Sequence, residues 1–189
     1  MPIKIKTYFI AIVLLISVVQ SACTPAKPGD YSIPVITSIT SDVPYPKEGD
    51  KAPVIYWVGS DNVSHNLTEF RGKPIIINTW NVNCRECGPE FPYFQEIVNK
   101  YSQQGLVFLS INTLDGTAST RDYLSSKKCN FTVMLDWHRL VYKSFAVPFN
   151  ADPYTFFIDA NGVLKSIQIG PFKSTLEIED RMKQLGLVK

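Results

Sequence analysis

Gly72-Lys73-Pro74-Ile75-Ile76-Ile77-Asn78-Thr79-Trp80, then Asn81-Val82-Asn83-Cys84-Arg85-Glu86-Cys87-Gly88-Pro89-Glu90-Phe91-Pro92, is the stretch on which the fold turns. A continuous apolar run after a Gly-Lys-Pro turn suits a central strand buried on both faces. Phe91, Phe94, Val98 and Tyr101 then recur at spacings of three and four, which predicts an amphipathic helix that Gly105 stops. The two cysteines therefore stand where a buried strand hands over to a helix.

Working outward, residues 54–58 read as a strand, with turns at 61–62 and 71–73. Downstream, 106–111 is a second buried strand, 119–126 a helix, 131–135 a short strand and 139–145 a helix. Strands over 154–158 and 163–169 flank Asp159-Ala160-Asn161-Gly162, whose Asn-Gly is a hairpin signal. A last amphipathic helix covers 176–185. Strands alternating with helices imply an α/β fold with parallel central strands, closed by an antiparallel hairpin.

The chain has 189 residues, enough for one domain plus a leader and tether. Its formal net charge of +2 and scattered Lys and Arg give no support to a nucleic-acid partner. Lys4 and Lys6 precede an apolar run from Tyr8 to Val19, and Ser21-Ala22 follow. That pattern describes an export signal over residues 1–22, short for a bilayer-spanning helix of roughly 20 residues. An uncleaved anchor is the alternative. Cys23 follows directly and resembles the lipid-bearing cysteine of a bacterial lipobox, although Gln20 replaces the usual Leu-like residue. Either way the domain is expected outside the cytoplasm, where disulfide chemistry is permitted. Residues 23–50, rich in Pro, Ser, Thr and Lys, read as a flexible tether, with the domain over 51–189.

Cysteines three apart at a helix start lie on one face, close enough to bridge. Unpaired N–H groups and the helix dipole there favour a thiolate at Cys84. A free thiol pKa of about 8.5 is lowered in such sites; Arg85 adds to the lowering and Glu86 opposes it. The residue types leave several readings open. Haem attachment wants a His after the second Cys, where Gly88 stands. Zinc needs two more ligands, and Cys129 and His138 are the free candidates. A purely structural disulfide and a redox-active dithiol complete the set.

The quoted segment, with Pro153-Tyr154-Thr155-Phe156-Phe157-Ile158-Asp159 about seventy residues later, resembles the TlpA/ResA branch of thioredoxin-like proteins. The resemblance spans roughly Gly49 to Gly186. It implies a thioredoxin-like three-layer sandwich, a central mixed sheet flanked by helices, with an N-terminal strand extension. It implies an extracytoplasmic thiol–disulfide oxidoreductase, many of which serve cytochrome c maturation. Cys84 is then the attacking thiolate and Cys87 the resolving thiol, with no cofactor. Pro153 matches the cis-proline that packs beside the disulfide, and Glu90 a carboxylate that tunes the second Cys. Asn78 takes the place where thioredoxin has a buried acid. The sequence departs from the family at Asn83, usually aromatic, at Arg85-Glu86, which usually include Pro, and in a longer 147–153 loop containing Pro148.

The expected activity is reduction of disulfides in exported proteins such as apocytochrome c, fed by a membrane thiol-electron carrier. Lipid on Cys23 would hold the domain at the membrane surface. One rival is a peroxiredoxin-like thiol peroxidase with antioxidant activity; that chemistry expects Thr or Ser three residues before the reactive Cys, and Asn81 stands there. Another is a non-enzymatic lipoprotein for metal delivery or scaffolding, for which the spacing of the cysteines is short.

Overall fold

Strand β4 (Ile75–Trp80) is buried at every residue, as a run without polar alternation requires. It pairs in parallel with β5 (Val107–Asn112) and antiparallel with β7 (Tyr154–Ile158). These strands belong to a computed structural model that describes residues 33–145, 147 and 152–188. The leader and Cys23 lie outside the described residues. Among the described residues the sheet has eight strands in the order β3-β2-β1-β6-β5-β4-β7-β8, where β1 is Val35–Thr40, β2 Val54–Val58, β3 Ser64–Asn66, β6 Val133–Leu135 and β8 Leu164–Ile169. Strands β4, β5 and β6 are mutually parallel, so the loops after them open at one end of the sheet.

Successive β4 side chains point to opposite faces. Ile76 and Trp80 pack with Phe91, Phe94 and Ile97 of α1 (Cys87–Tyr101), Leu124 of α2 (Thr117–Lys127) and Ile178 and Met182 of α4 (Thr175–Met182). Ile75 and Ile77 pack with Val141, Tyr142 and Phe145 of α3 (Leu140–Phe145) on the other face. The result is the expected three-layer sandwich around a mixed sheet. Asp136, just beyond β6, caps α3 by accepting the Leu140 and Val141 N–H groups at 2.8 Å each. Gly162, at φ 76°, takes the left-handed position of the β7–β8 turn.

Three expectations change. The tether over 23–50 ends earlier than the sequence suggests. Its residues 35–40 form β1, which pairs antiparallel with β2 and meets β6 through Val35↔Leu135. Ile36 is 1% exposed, and Ile39 packs against the same core. Farther on, Gly49 N–H bonds the Leu164 carbonyl at 2.8 Å and Glu48 accepts the Ile167 N–H at 2.8 Å, so this segment covers the edge of β8. Three buried apolar side chains among Pro, Ser and Thr do not make a visible pattern, and their partners are distant in sequence. Second, the stripe on α1 runs through Ile97, fully buried, while Val98 is half-buried at its margin. Strand β6 is also shorter than the 131–135 expected, and β3 and the 3-10 turn Leu67–Phe70 lie between the turns expected at 61–62 and 71–73.

Because Ile36 fills the core, Ile36→Ala should lower stability by about 2–5 kcal/mol in urea unfolding. A loss of less than about 0.5 kcal/mol, the range of ordinary surface substitutions, would show that β1 is peripheral to the domain.

Candidate active site

The end of β4 is held before the cysteines are reached. The Val82 N–H donates to Asp115 Oδ2 at 2.7 Å, and the same oxygen accepts Asn112 Nδ2 at 2.9 Å. Asn81 Oδ1 accepts the Asn83 N–H at 3.0 Å, and the Asn81 carbonyl accepts the Cys84 N–H at 3.1 Å. These short-range bonds coil residues 81–84 into a turn, and α1 starts at Cys87.

Cys84 and Cys87 form a disulfide. Their environments differ sharply. Cys84 is half-buried, whereas Cys87 is fully buried against Trp80 and Phe91. The Cys87 N–H points at Cys84 Sγ, 3.1 Å away. A donor in that place, with the start of α1 behind it, is of the kind that stabilises negative charge on sulfur. Arg85 and Glu86 project into solvent. Gly88 leaves room for α2: a Cβ there would lie 2.6 Å from Tyr123 Oη, and Tyr123 stacks on Trp80 with ring centroids 5.4 Å apart.

One helical turn beyond Cys87, Glu90 is buried at 0% exposure. Its Oε1 accepts Asn78 Nδ2 and its Oε2 accepts the Phe172 N–H, both at 2.9 Å. Burial pushes the carboxyl up from 4.5 to about 7; the two hydrogen bonds oppose the rise, and the Asp152 charge adds to it. Glu90 is therefore a group that gains or loses a proton near neutrality beside a dithiol. Asn78 Nδ2 also donates to Thr155 Oγ1 at 3.1 Å, which joins β4 to β7 at this level.

The Asp152–Pro153 peptide is cis, and Pro153 is buried where β7 begins. Its carbonyl accepts the Gly170 N–H at 2.9 Å. Strand β7 enters the sheet at the same end at which β4 leaves it, with Thr79 opposite Tyr154. Topology thus brings Pro153, Glu90 and the dithiol to one end of β4. Cys129 remains a free thiol, half-buried after α2, with burial raising its pKa. It packs against the same apolar cluster as Cys84. Among the described residues, no group of three or more His, Cys, Asp or Glu side chains is arranged to hold a metal ion.

Sequence reading passed over Asp115, Asp152 and Tyr123. The first two had a signal: Asp115 ends an Asn112-x-x-Asp turn after a buried strand, and Asp152 directly precedes Pro153. Tyr123 had none, because its contact with Gly88 spans 35 positions. Two clefts, of about 470 and 550 Å³, are lined by residues such as Lys51, Arg71 and Ala160, and Trp57, His65 and Phe131; Cys84 lies in neither.

Comparison with known proteins agrees with this geometry. The model of the AhpC/TSA family matches residues 49–167. The thiol-disulfide oxidoreductase ResA of Geobacillus thermodenitrificans is 29% identical over 141 residues, covering 75% of this chain and 78% of the relative. ResA of Bacillus subtilis is 27% identical over 135 residues, covering 71% and 74%. A Chlorobium tepidum crystal structure assigned as a thiol:disulfide interchange protein DsbE superposes with a TM-score of 0.66 at 24% identity, covering 74% of this chain and 99% of that one, which speaks for the fold. With its thioredoxin-like sandwich and Cys84–Cys87 pair, the chain belongs to the AhpC/TSA family and, within it, is a ResA-like thiol–disulfide oxidoreductase.

Proposed function

We propose that the protein reduces disulfides in exported proteins, acting outside the cytoplasm. The observation that carries this reading is the asymmetry of the pair: a solvent-reaching Cys84 in front of a buried Cys87 and a buried Glu90. The Cys84 thiolate attacks a client disulfide, forms a mixed disulfide and expels one client thiolate, which takes a proton from water. Cys87 then gives its proton to the Glu90 carboxylate and attacks Cys84 Sγ. The Cys84–Cys87 disulfide forms, and the second client thiolate leaves. Two electrons pass from the protein to the client. A membrane thiol carrier returns them, and apocytochrome c is a fitting client by analogy with the TlpA/ResA branch. Pro153, at the same end of the sheet, lines the client's approach.

The leader and Cys23 support attachment at the outer face of the cell membrane. A cysteine with two or three acyl chains anchors stably. Asn81 speaks against the peroxidase alternative. The residue at that position is committed to Asp152, at 2.9 Å, and to the Asn83 N–H.

Cys84→Ser abolishes insulin reduction, and Cys87→Ser accumulates a mixed disulfide visible in the intact mass; insulin reduction that survives in Cys84→Ser would refute the mechanism.

Glu90→Gln lowers the thiol pKa values, chiefly that of Cys87, and flattens the dependence of alkylation on pH, because the carboxylate charge no longer opposes thiolate formation. Superimposable alkylation curves would reduce Glu90 to a packing residue. The sign for stability also follows. A carboxyl raised from 4.5 to about 7 gives stability that is complete below its unfolded value and lost as pH rises through about 7. The oxidised Glu90→Gln protein, neutral throughout, should gain on wild type across that window by up to roughly 3 kcal/mol in urea unfolding.

The mass of the mature protein isolated from membranes should show diacylglycerol on Cys23. A mature chain that starts elsewhere, or keeps its leader unmodified, would remove the lipid anchor from the proposal.

A further inference from the structure

Asp152 collects the polar groups at the end of β4. Its Oδ1 accepts Thr79 Oγ1 at 2.8 Å. Its Oδ2 accepts Asn81 Nδ2 at 2.9 Å and Thr113 Oγ1 at 3.1 Å. Each donor is tied in turn to something else. Thr79 Oγ1 accepts the Tyr154 N–H at 3.1 Å. The Thr113 hydroxyl meets Tyr142 Oη at 3.0 Å, and the Thr113 N–H donates to the Trp80 carbonyl at 3.0 Å. Asn81 holds Asn83 and Cys84 through its side-chain oxygen and its carbonyl. An unbroken chain of bonds thus runs from the residue before Pro153 to the attacking cysteine.

We propose that Asp152 is a positioning residue of the dithiol site, its carboxylate fastening the Pro153 turn to the strand end that leads into Cys84. The proposal rests on the exchange reading above and adds a residue to that site. A carboxylate suits the place for a stated reason. Thr79, Asn81 and Thr113 donate to it beside the Tyr142 phenol, and two acceptor oxygens without protons can take such a set of donors. An amide has one such oxygen and sets an N–H₂ against the remaining donors.

A second observation concerns Glu90. Asn78, which bonds Glu90, and Thr79, which bonds Asp152, are consecutive residues of β4 and point to opposite faces. The two carboxyls are thus held by neighbouring residues of one strand. The groups around Glu90 are Asn78, the Phe172 N–H and the charge of Asp152. Those around Asp152 are Thr79, Asn81, Thr113 and the phenols of Tyr142 and Tyr154, with Arg139 acting on Tyr142. The negative charge of Asp152 favours the protonated form of Glu90. Asp152 thereby touches both halves of the reaction: the placement of the nucleophile through Asn81 and the proton of the resolving step through Glu90.

The test uses the full chain in its oxidised form, so that no client is needed. Dithiothreitol is the probe, and its rate of reduction of the Cys84–Cys87 bond is measured. In parallel, the Glu90 carboxyl is titrated by ¹³C NMR and assigned with Glu90→Gln. Asp152→Ala should slow the reduction roughly ten- to a hundred-fold, the scale of a misplaced reacting group. Asp152→Asn, equal in shape, should also slow it and should move the Glu90 midpoint from about 7 to lower pH. A folded Asp152→Ala protein that reacts at the wild-type rate overturns the proposal. If that variant does not fold, Asp152→Asn decides, and a wild-type rate or an unmoved Glu90 midpoint overturns it. Failure of the wild-type protein to reduce insulin would refute the client reading while leaving both of these readouts intact.

Discussion

Burial of β4 on both faces and pairing on both edges leave no water for the polar groups at its C-terminal end. Each must find a partner inside the protein, and these partners are the parts of the site. Asn78 turns to Glu90 and Thr155, Thr79 to Asp152, and Trp80 Nε1 to Ser110 Oγ at 2.7 Å. An unmet buried donor or acceptor costs roughly 1–3 kcal/mol. The same demand that keeps the strand folded therefore fixes two carboxyls beside the dithiol. Stability and chemistry draw on the same bonds.

One atom in this arrangement is unsatisfied. Asn78 Oδ1 is buried and has no hydrogen-bond partner among the described residues, while Nδ2 of the same amide donates to Glu90. That orientation suits an ionised Glu90, which can only accept. A protonated Glu90 has a hydrogen to donate, and rotation of the Asn78 amide would present Oδ1 to receive it. The observed orientation is thus the one that an ionised Glu90 calls for. Where a buried acid at position 78 would place its own charge on the strand, the amide instead reads the charge on the helix. The buried acid expected at position 78 by comparison with thioredoxin is thus replaced by an amide bonded to an acid on the helix.

Legibility in the sequence followed the length scale of each cause. The run 75–80, the helix after it and the Asn161-Gly162 turn are written in adjacent residues, and each stands within a residue or two of its expected place. Cys84, Cys87 and Glu90 were visible because they are close in sequence, with Glu90 one helical turn beyond Cys87. Strand β1 was not visible, since its apolar residues are few and its partners lie in β2 and β6. The choice of Ile97 over Val98 depended on the rotation of α1 against α4 and the sheet, which no local spacing sets. Asp152 was hidden for a similar reason. Its donors at 79, 81 and 113 meet only after β4, β5 and β7 are side by side.

The difference between the two cysteines follows from where α1 begins. Because the helix starts at Cys87, the sulfur of Cys84 stands outside it, facing a free N–H, while Cys87 is carried into the layer between sheet and helix. The outer sulfur gains a donor and solvent. The inner one loses both, and desolvation raises the pKa of a thiol placed there. Attack from outside needs only the first sulfur as a thiolate. Resolution needs the second, at the moment the first is engaged with a client. In the proposed exchange the buried thiol gives its proton to a base on its own side of the sheet, and Glu90, one turn farther along the same helix and bonded to the strand beneath, is the carboxyl that α1 places there. The bonds that set this start, from Asn81 to Asn83 and Cys84 and from Val82 to Asp115, are therefore as much a part of the chemistry as the thiols.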